Sequence, residues 1–131
     1  MIVIDASVLA NAIGDDHDDG HVARTAIRDH DLAAPDLVDV ETMAVLRKRW
    51  LAGDLSARRL RSAVDDLVDL ALLRHPVLSL LHRAYELRAN VTPYDAMYVA
   101  LAEHLDCPLL TADGRLAAAP GLRCEVRLLA A

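Results

Sequence analysis

The chain has 131 residues, enough for one compact core and too few for two ordinary domains. It is 54% hydrophobic but only 3% aromatic, with no Phe and one Trp, so the core must be built from Leu, Val and Ala. Acidic residues outnumber basic ones 20 to 14, a formal charge of -6 that argues against bulk electrostatic capture of nucleic acid or an anionic membrane.

In chain order, Ile2 to Ile4 is a short β-branched run ending at Asp5, and Ala6, Leu9, Ala10 and Ile13 then recur at helical spacing up to Gly14. Asp15 to Gly20 (DDHDDG) reads as a solvated polar loop, followed by a helix with the stripe Val22, Ala26 and Ile27 and a brief strand at Leu32 to Ala34. Pro35 marks a new element, a helix over Asp36 to Ala52 with the stripe Leu37, Val40, Ala44, Val45 and Leu51, closed by Gly53. Ser56 caps a further helix carrying Leu60, Ala63, Val64 and Leu67. Leu72 and Leu73 open a short strand before Pro76, a helix covers about Val77 to Ala89, and Thr92-Pro93 starts an apolar helix reaching Leu105. A strand at Leu109 to Thr111, a brief helix near Leu116 and a strand around Cys124 to Leu128 complete the chain. Short strands alternating with longer helices predict one α/β domain over 1–131, with a mainly parallel sheet covered on both faces.

No apolar run approaches the roughly 18 residues of a membrane span. The MIVIDAS start lacks the pattern of a secretory signal, so a cytoplasmic protein with no membrane role is expected. Cys107 and Cys124 lack metal-ligand spacing and read as small hydrophobes. The isolated histidines, His30, His75, His82 and His104, have no nucleophile-and-orienter arrangement around them.

Four carboxylates stand out, and each has a structural explanation. Asp5 lies where a strand meets a helix and suits an N-cap. Asp95 follows Thr92 and Pro93 as the third residue of a capping-box-like start, and Asp113 precedes Gly114 in a turn. Glu41 is different, because it falls mid-helix on or beside the expected core stripe, where an ionised carboxylate needs a partner, a proton, a wet edge or a cation. Considered together, Asp5, Asp95 and Asp113 fall at strand carboxyl ends or helix N-termini, the side of an open α/β sheet where ligands bind. Four such carboxylates in one cleft would repel one another unless a divalent cation neutralised them, and hard oxygen donors favour Mg²⁺ or Mn²⁺ over Zn²⁺.

MIVIDAS, PDLVDVETMAVLRK around Glu41 and TPYDAMYVALAEHLDCPLLTAD from Asp95 to Asp113 resemble the PIN-domain ribonucleases, specifically the VapC toxins of type II toxin-antitoxin pairs, over nearly the whole chain. The resemblance implies a three-layer α/β/α fold, a catalytic and metal-binding quartet at Asp5, Glu41, Asp95 and Asp113, and Mg²⁺- or Mn²⁺-dependent RNA cleavage that inhibits translation and growth. It also implies a cognate VapB antitoxin and a homodimer assembled through helices. Ser7 and Thr111 match polar positions beside the acids, and Asn11 is a further residue expected behind them. Arg47, Lys48, Arg49, Arg58, Arg59 and Arg61 concentrate positive charge, and a phosphate track along Arg47, Arg49, Arg58, Arg59 and Arg61 is expected, a solvated face or protein contact being the alternative. Tyr94, Met97, Tyr98 and Leu101 read as core or dimer contact. A receiver-like phosphoacceptor domain would need an acidic pair after the first strand and a late lysine, whereas Lys48 is the only lysine. A catalytically silent PIN-like binding module would not need the intact quartet. With those four acids set aside, the balance becomes 16 acidic to 14 basic residues.

Overall fold

A computed structural model describes residues 1–129. Five strands, β1 (Ile2–Ile4), β2 (Leu32–Pro35), β3 (Leu73–His75), β4 (Leu109–Thr111) and β5 (Val126–Leu128), form one wholly parallel sheet in the order β3-β2-β1-β4-β5. Seven helices connect and cover it: α1 (Ala6–Gly14), α2 (Asp18–Ile27), α3 (Val38–Leu51), α4 (Ala57–Asp69), α5 (Leu81–Glu86), α6 (Pro93–Leu105) and α7 (Gly114–Ala117). The chain steps from β1 outward to β2 and β3, then crosses back to β4 on the other side of β1. Because parallel crossovers are right-handed, this reversal puts α1 to α4 on one face and α5 and α6 on the other, giving the expected α/β/α layers. It also makes the carboxyl ends of β1 and β4 the point where the strand order turns, leaving a crevice above them.

The central strands are apolar because both of their faces are covered. All three residues of β1 are buried, as are all three of β4. Apolar α6 lies against the sheet, with Ala96 to Ala102 continuously buried. Thr92 accepts a hydrogen bond from the Asp95 N–H (3.2 Å) at its start, and Asp106, at φ 51°, closes it in the left-handed conformation.

Several boundaries differ from the sequence expectation. The acidic loop is shorter, because α2 begins at Asp18: the Asp15 carboxylate accepts from the N–H groups of His17 (2.8 Å) and Gly20 (3.0 Å), nucleating the first turn. Gly20 is required there, since a Cβ would lie 1.8 Å from the Asp15 carbonyl oxygen. Pro35 ends β2 rather than starting the next element, because its position pairs with His75 and the Asp36 N–H supplies the bond to His75 (2.9 Å). The same pairing carries β3 to Leu73–His75, one residue later than expected. The segment after Pro76 splits into a 3-10 turn at Leu78–Leu80 and the short α5.

In α3 the buried stripe is Val38, Thr42 and Leu46. Val40 and Leu51, expected to face the core, are 74% and 59% exposed. The apolar residues of this helix surround its axis, so the periodicity left the phase open. Packing of α3 against α1 and α4 sets it.

Candidate active site

Asp5 emerges from β1 as the N-cap of α1, with its Oδ1 accepting from the Val8 N–H (3.1 Å) and the Ser7 hydroxyl (2.5 Å). Its Oδ2 accepts from the Thr111 hydroxyl at the end of β4 (2.5 Å). Both hydroxyls in turn accept from the next loop: Ala112 N–H donates to Ser7 Oγ (3.2 Å) and Asp113 N–H to Thr111 Oγ (3.0 Å). Two parallel relays thus bind the β4–α7 corner to the two oxygens of one carboxylate, explaining why Ser7 and Thr111 sit beside it. Burial raises the Asp5 pKa above the ordinary carboxylate value, while the bonds from Ser7, Thr111 and Val8 oppose that rise.

Glu41 is half-buried on the flank of α3 and receives a hydrogen bond from the Tyr98 hydroxyl (2.7 Å) on α6. Its pKa is raised first by burial and then by repulsion from Asp95 and Asp5, against the lowering effect of Tyr98. Asp95, in the first turn of α6, is raised first by burial and next by Asp5 and Asp113. Asp113 caps α7 by accepting from the Arg115 N–H (2.9 Å), with the Arg115 guanidinium 3.7 Å from its carboxylate. The four acids feel one another across the β1/β4 crevice. Among the described residues, Asp5, Glu41 and Asp95 make no ion pair with an arginine, lysine or histidine.

Capping and clustering are therefore the same fact: three of the acids cap or open helices whose N-termini face one crevice. Tyr98 is the residue sequence reasoning missed. It is 1% exposed, and burial followed by its bond to Glu41 pushes its hydroxyl far above the usual pKa. A buried tyrosine three residues after Asp95 needs a partner for its hydroxyl, and that need was the available signal.

Asn11 and two of the expected RNA contacts lie elsewhere. Asn11 Oδ1 accepts from Arg49 Nη2 (2.6 Å), so its side chain is engaged with α3 rather than with the acids. Arg49 also donates to the Ala10 carbonyl (3.3 Å). Arg59 donates to the Ile13 carbonyl (2.7 Å) and to both Asp16 oxygens (2.9 and 3.1 Å). Arg24 donates to the carbonyls of Ala12 (3.0 Å) and Asp15 (2.7 Å). The last carbonyls of a helix lack intrahelical donors and carry the negative end of its dipole, so Arg59 at Ile13 and Arg24 at Ala12 cap α1, while Arg49 is held on its flank by Asn11 and the Ala10 carbonyl; neither Arg49 nor Arg59 presents itself to phosphate. Arg47, Arg58 and Arg61 remain exposed. Cys107 and Cys124 are free and partly buried, with burial pushing the Cys124 thiol up to about 11.

The donor set suits a hard divalent cation: desolvated carboxylate oxygens, of which Asp5, Glu41 and Asp95 make no ion pair among the described residues and Glu41 and Asp95 are raised further by neighbouring acids. Among the described residues no three His, Cys, Asp or Glu side chains already surround a common point. That open arrangement is compatible with Mg²⁺, which takes one or two carboxylates and keeps several waters.

A family model described as PIN domain matches residues 2–122. Ribonuclease VapC1 of Mycobacterium tuberculosis (strain H37Rv) is 42% identical over 128 residues, covering 97% of this chain and 96% of its own. Among solved structures, M. tuberculosis VapC20, a sarcin-ricin loop cleaving toxin, superposes with a TM-score of 0.69 at 17% identity, over 90% of this chain and 94% of that one. VapBC2 of Rickettsia felis, bound to a DNA fragment from its promoter, gives 0.64 at 16% identity over 97% and 99%. At those identities the two structures establish the shared fold.

Proposed function

The chain belongs to the PIN-domain family, in its VapC group, and from that premise we propose that it is a single-domain endoribonuclease acting as the toxin of a VapBC-type pair, hydrolysing RNA phosphodiester bonds with Mg²⁺ or Mn²⁺. The observation that carries the reading is the acid cluster at the β1/β4 turning point, in which Asp5, Glu41 and Asp95 are desolvated and make no ion pair among the described residues. Asp5 and Asp95 are assigned as direct metal ligands, with Glu41 and Asp113 completing the site directly or through water. Bound there, the ion would lower the pKa of a water and offset charge developing on the phosphate in an in-line displacement.

The chain's own residues supply the framework. Ser7 and Thr111 hold the Asp5 carboxylate in one orientation, Tyr98 holds Glu41, and the caps at Thr92 and Asp113 aim their helix starts into the crevice. The proposal extends to a cognate antitoxin that would cover this cleft, self-association through helices, and action in the cytoplasm. No helix among the described residues is long and apolar enough to cross a membrane.

Two measurements test this. Wild-type protein should cut RNA only with Mg²⁺ or Mn²⁺, and Asp95→Asn should abolish cleavage with the fold retained; cleavage surviving in that variant would refute the assignment. Either ion should raise the Tm of the free protein, and Asp5→Asn should remove most of that rise.

A further inference from the structure

Resting on the ribonuclease reading, we propose that Arg88 and Arg115 form a phosphate-binding subsite for single-stranded RNA, holding backbone phosphates that flank the one positioned at the acids. The two side chains line a cleft of about 470 Å³ shared with Asn90, Thr92, Asp95 and Asp113, so the cleft runs directly out of the acid cluster. Two carboxylates, Asp95 and Asp113, and two guanidinium groups, Arg88 and Arg115, line it together. An RNA backbone cannot lie along those acids unless the phosphates beside the reacting one find positive charge, and Arg88 and Arg115 are the cations lining that cleft.

Their settings suit the task. Arg88 donates to the Tyr85 carbonyl (3.0 Å) and lies over the Tyr85 ring, 4.1 Å from its centroid, which orients the guanidinium without neutralising it. Among the described residues Arg88 makes no ion pair. Arg115 has a side chain 95% exposed and only a 3.7 Å approach to Asp113, so it is free to turn toward a phosphate at little cost. The contrast with the α3–α4 arginines lies in what is left over: Arg49 and Arg59 are tied to α1 and the loop after it, whereas Arg88 spends one donor on the Tyr85 carbonyl and Arg115 makes only its 3.7 Å approach to Asp113. The contacts are to backbone, so the subsite governs affinity and register and carries no base preference.

The test compares Arg88→Ala/Arg115→Ala with its parent, both in the Asp5→Asn background, by fluorescence anisotropy of a short unstructured fluorescein-labelled oligoribonucleotide over a salt series. The slope of log affinity against log salt should flatten by about 0.7 per lost phosphate contact, and affinity should fall on the order of ten- to a hundredfold. The Lys/Lys double variant should restore most of the slope. In the active background the Ala pair should raise KM for RNA and leave kcat near wild type. Arg115→Ala alone, almost wholly in solvent, provides a variant in which folding is not at stake and should lose about half the effect. If wild type cuts RNA and the Ala pair keeps the full salt slope, the subsite is overturned alone. If wild type neither binds nor cuts RNA, the ribonuclease reading falls and the subsite with it. A reduced affinity for the antitoxin with unchanged RNA slope would also overturn it, assigning the arginines to an acidic peptide.

Discussion

Two regions of this molecule are rich in aspartate, and their electrostatics run in opposite directions. At the end of α1, burial pushes Asp15 up but the N–H groups of Gly20 and His17 outweigh it, and the Arg59 guanidinium holds Asp16 low; both carboxyls lie below their ordinary values. At the β1/β4 crevice, burial holds Asp5, Glu41 and Asp95 above theirs, and neighbouring carboxylates push Glu41 and Asp95 up further. In the first region each carboxylate meets a donor or a cation supplied by the chain, so its charge helps to build the scaffold. In the second, Asp5, Glu41 and Asp95 have no ion-pair partner among the described residues and only Asp113 is approached by a guanidinium, Arg115 at 3.7 Å, so most of the cost of gathering the acids is offset only when a cation binds. The raised pKa values, rather than the number of acids, separate a site from a solvated loop.

Substitutions should separate the regions most sharply in catalysis. Replacing Asp5 or Asp95 by Asn should lower RNA cleavage by at least on the order of 10²–10³-fold, the loss typical of removing a group that stabilises transition-state charge. Asp16→Asn should leave cleavage unchanged in the same assay. Gly20→Ala should cost about 1–3 kcal/mol of stability in denaturant unfolding, because the new methyl collides with rigid backbone at Asp15. Tyr98→Phe should reduce metal affinity or cleavage about tenfold by releasing Glu41 while the core stays packed. Arg59→Ala should cost about 1 kcal/mol through the lost bond to the Ile13 carbonyl, with no change in cleavage.

The smallest effect is the pH response of stability without metal. The fold binds protons more tightly than the unfolded chain at Asp5, Glu41 and Asp95, so their contribution is greatest at low pH and declines as pH rises from about 4 through their raised values. Asp15 and Asp16 act in the opposite sense, stabilising above the ordinary carboxylate pKa and losing that contribution as pH falls through their lowered ones. Tm between pH 4 and 7 should therefore decline less in Asp95→Asn than in wild type, and Mg²⁺ should offset the wild-type decline. Equal profiles for the two proteins would show that repulsion in the crevice is negligible.

Much of the scaffold was legible locally. β1, α1, α4, α6 and β4 lie where β-branched runs, Ser56, Thr92-Pro93 and helical spacing put them, because caps and apolar periodicity are properties of a few neighbouring residues. The four acids could be named for the same reason, each marking an element boundary or an expensive place for charge. What escaped were facts requiring a second segment. Val40 and Leu51 look like core on α3, and only packing on α1 and α4 turns them outward. Arg49 and Arg59 look like free cations until the end of α1 is brought against them, and Tyr98 looks like plain core until Glu41 arrives beside it.

Residue types and their spacing determined the α/β class, the caps and the identity of the candidate acids, because those depend on local backbone geometry and on the cost of burying charge. Tertiary structure decided which acids share one field, which arginines are tied to the end of α1 and which tyrosine bonds Glu41. That decision follows from the reversal of strand order at β1, which brings residues more than 100 positions apart, Asp5 and Thr111, into one hydrogen bond. Electrostatic coupling depends on distance in space, and no local pattern encodes that distance.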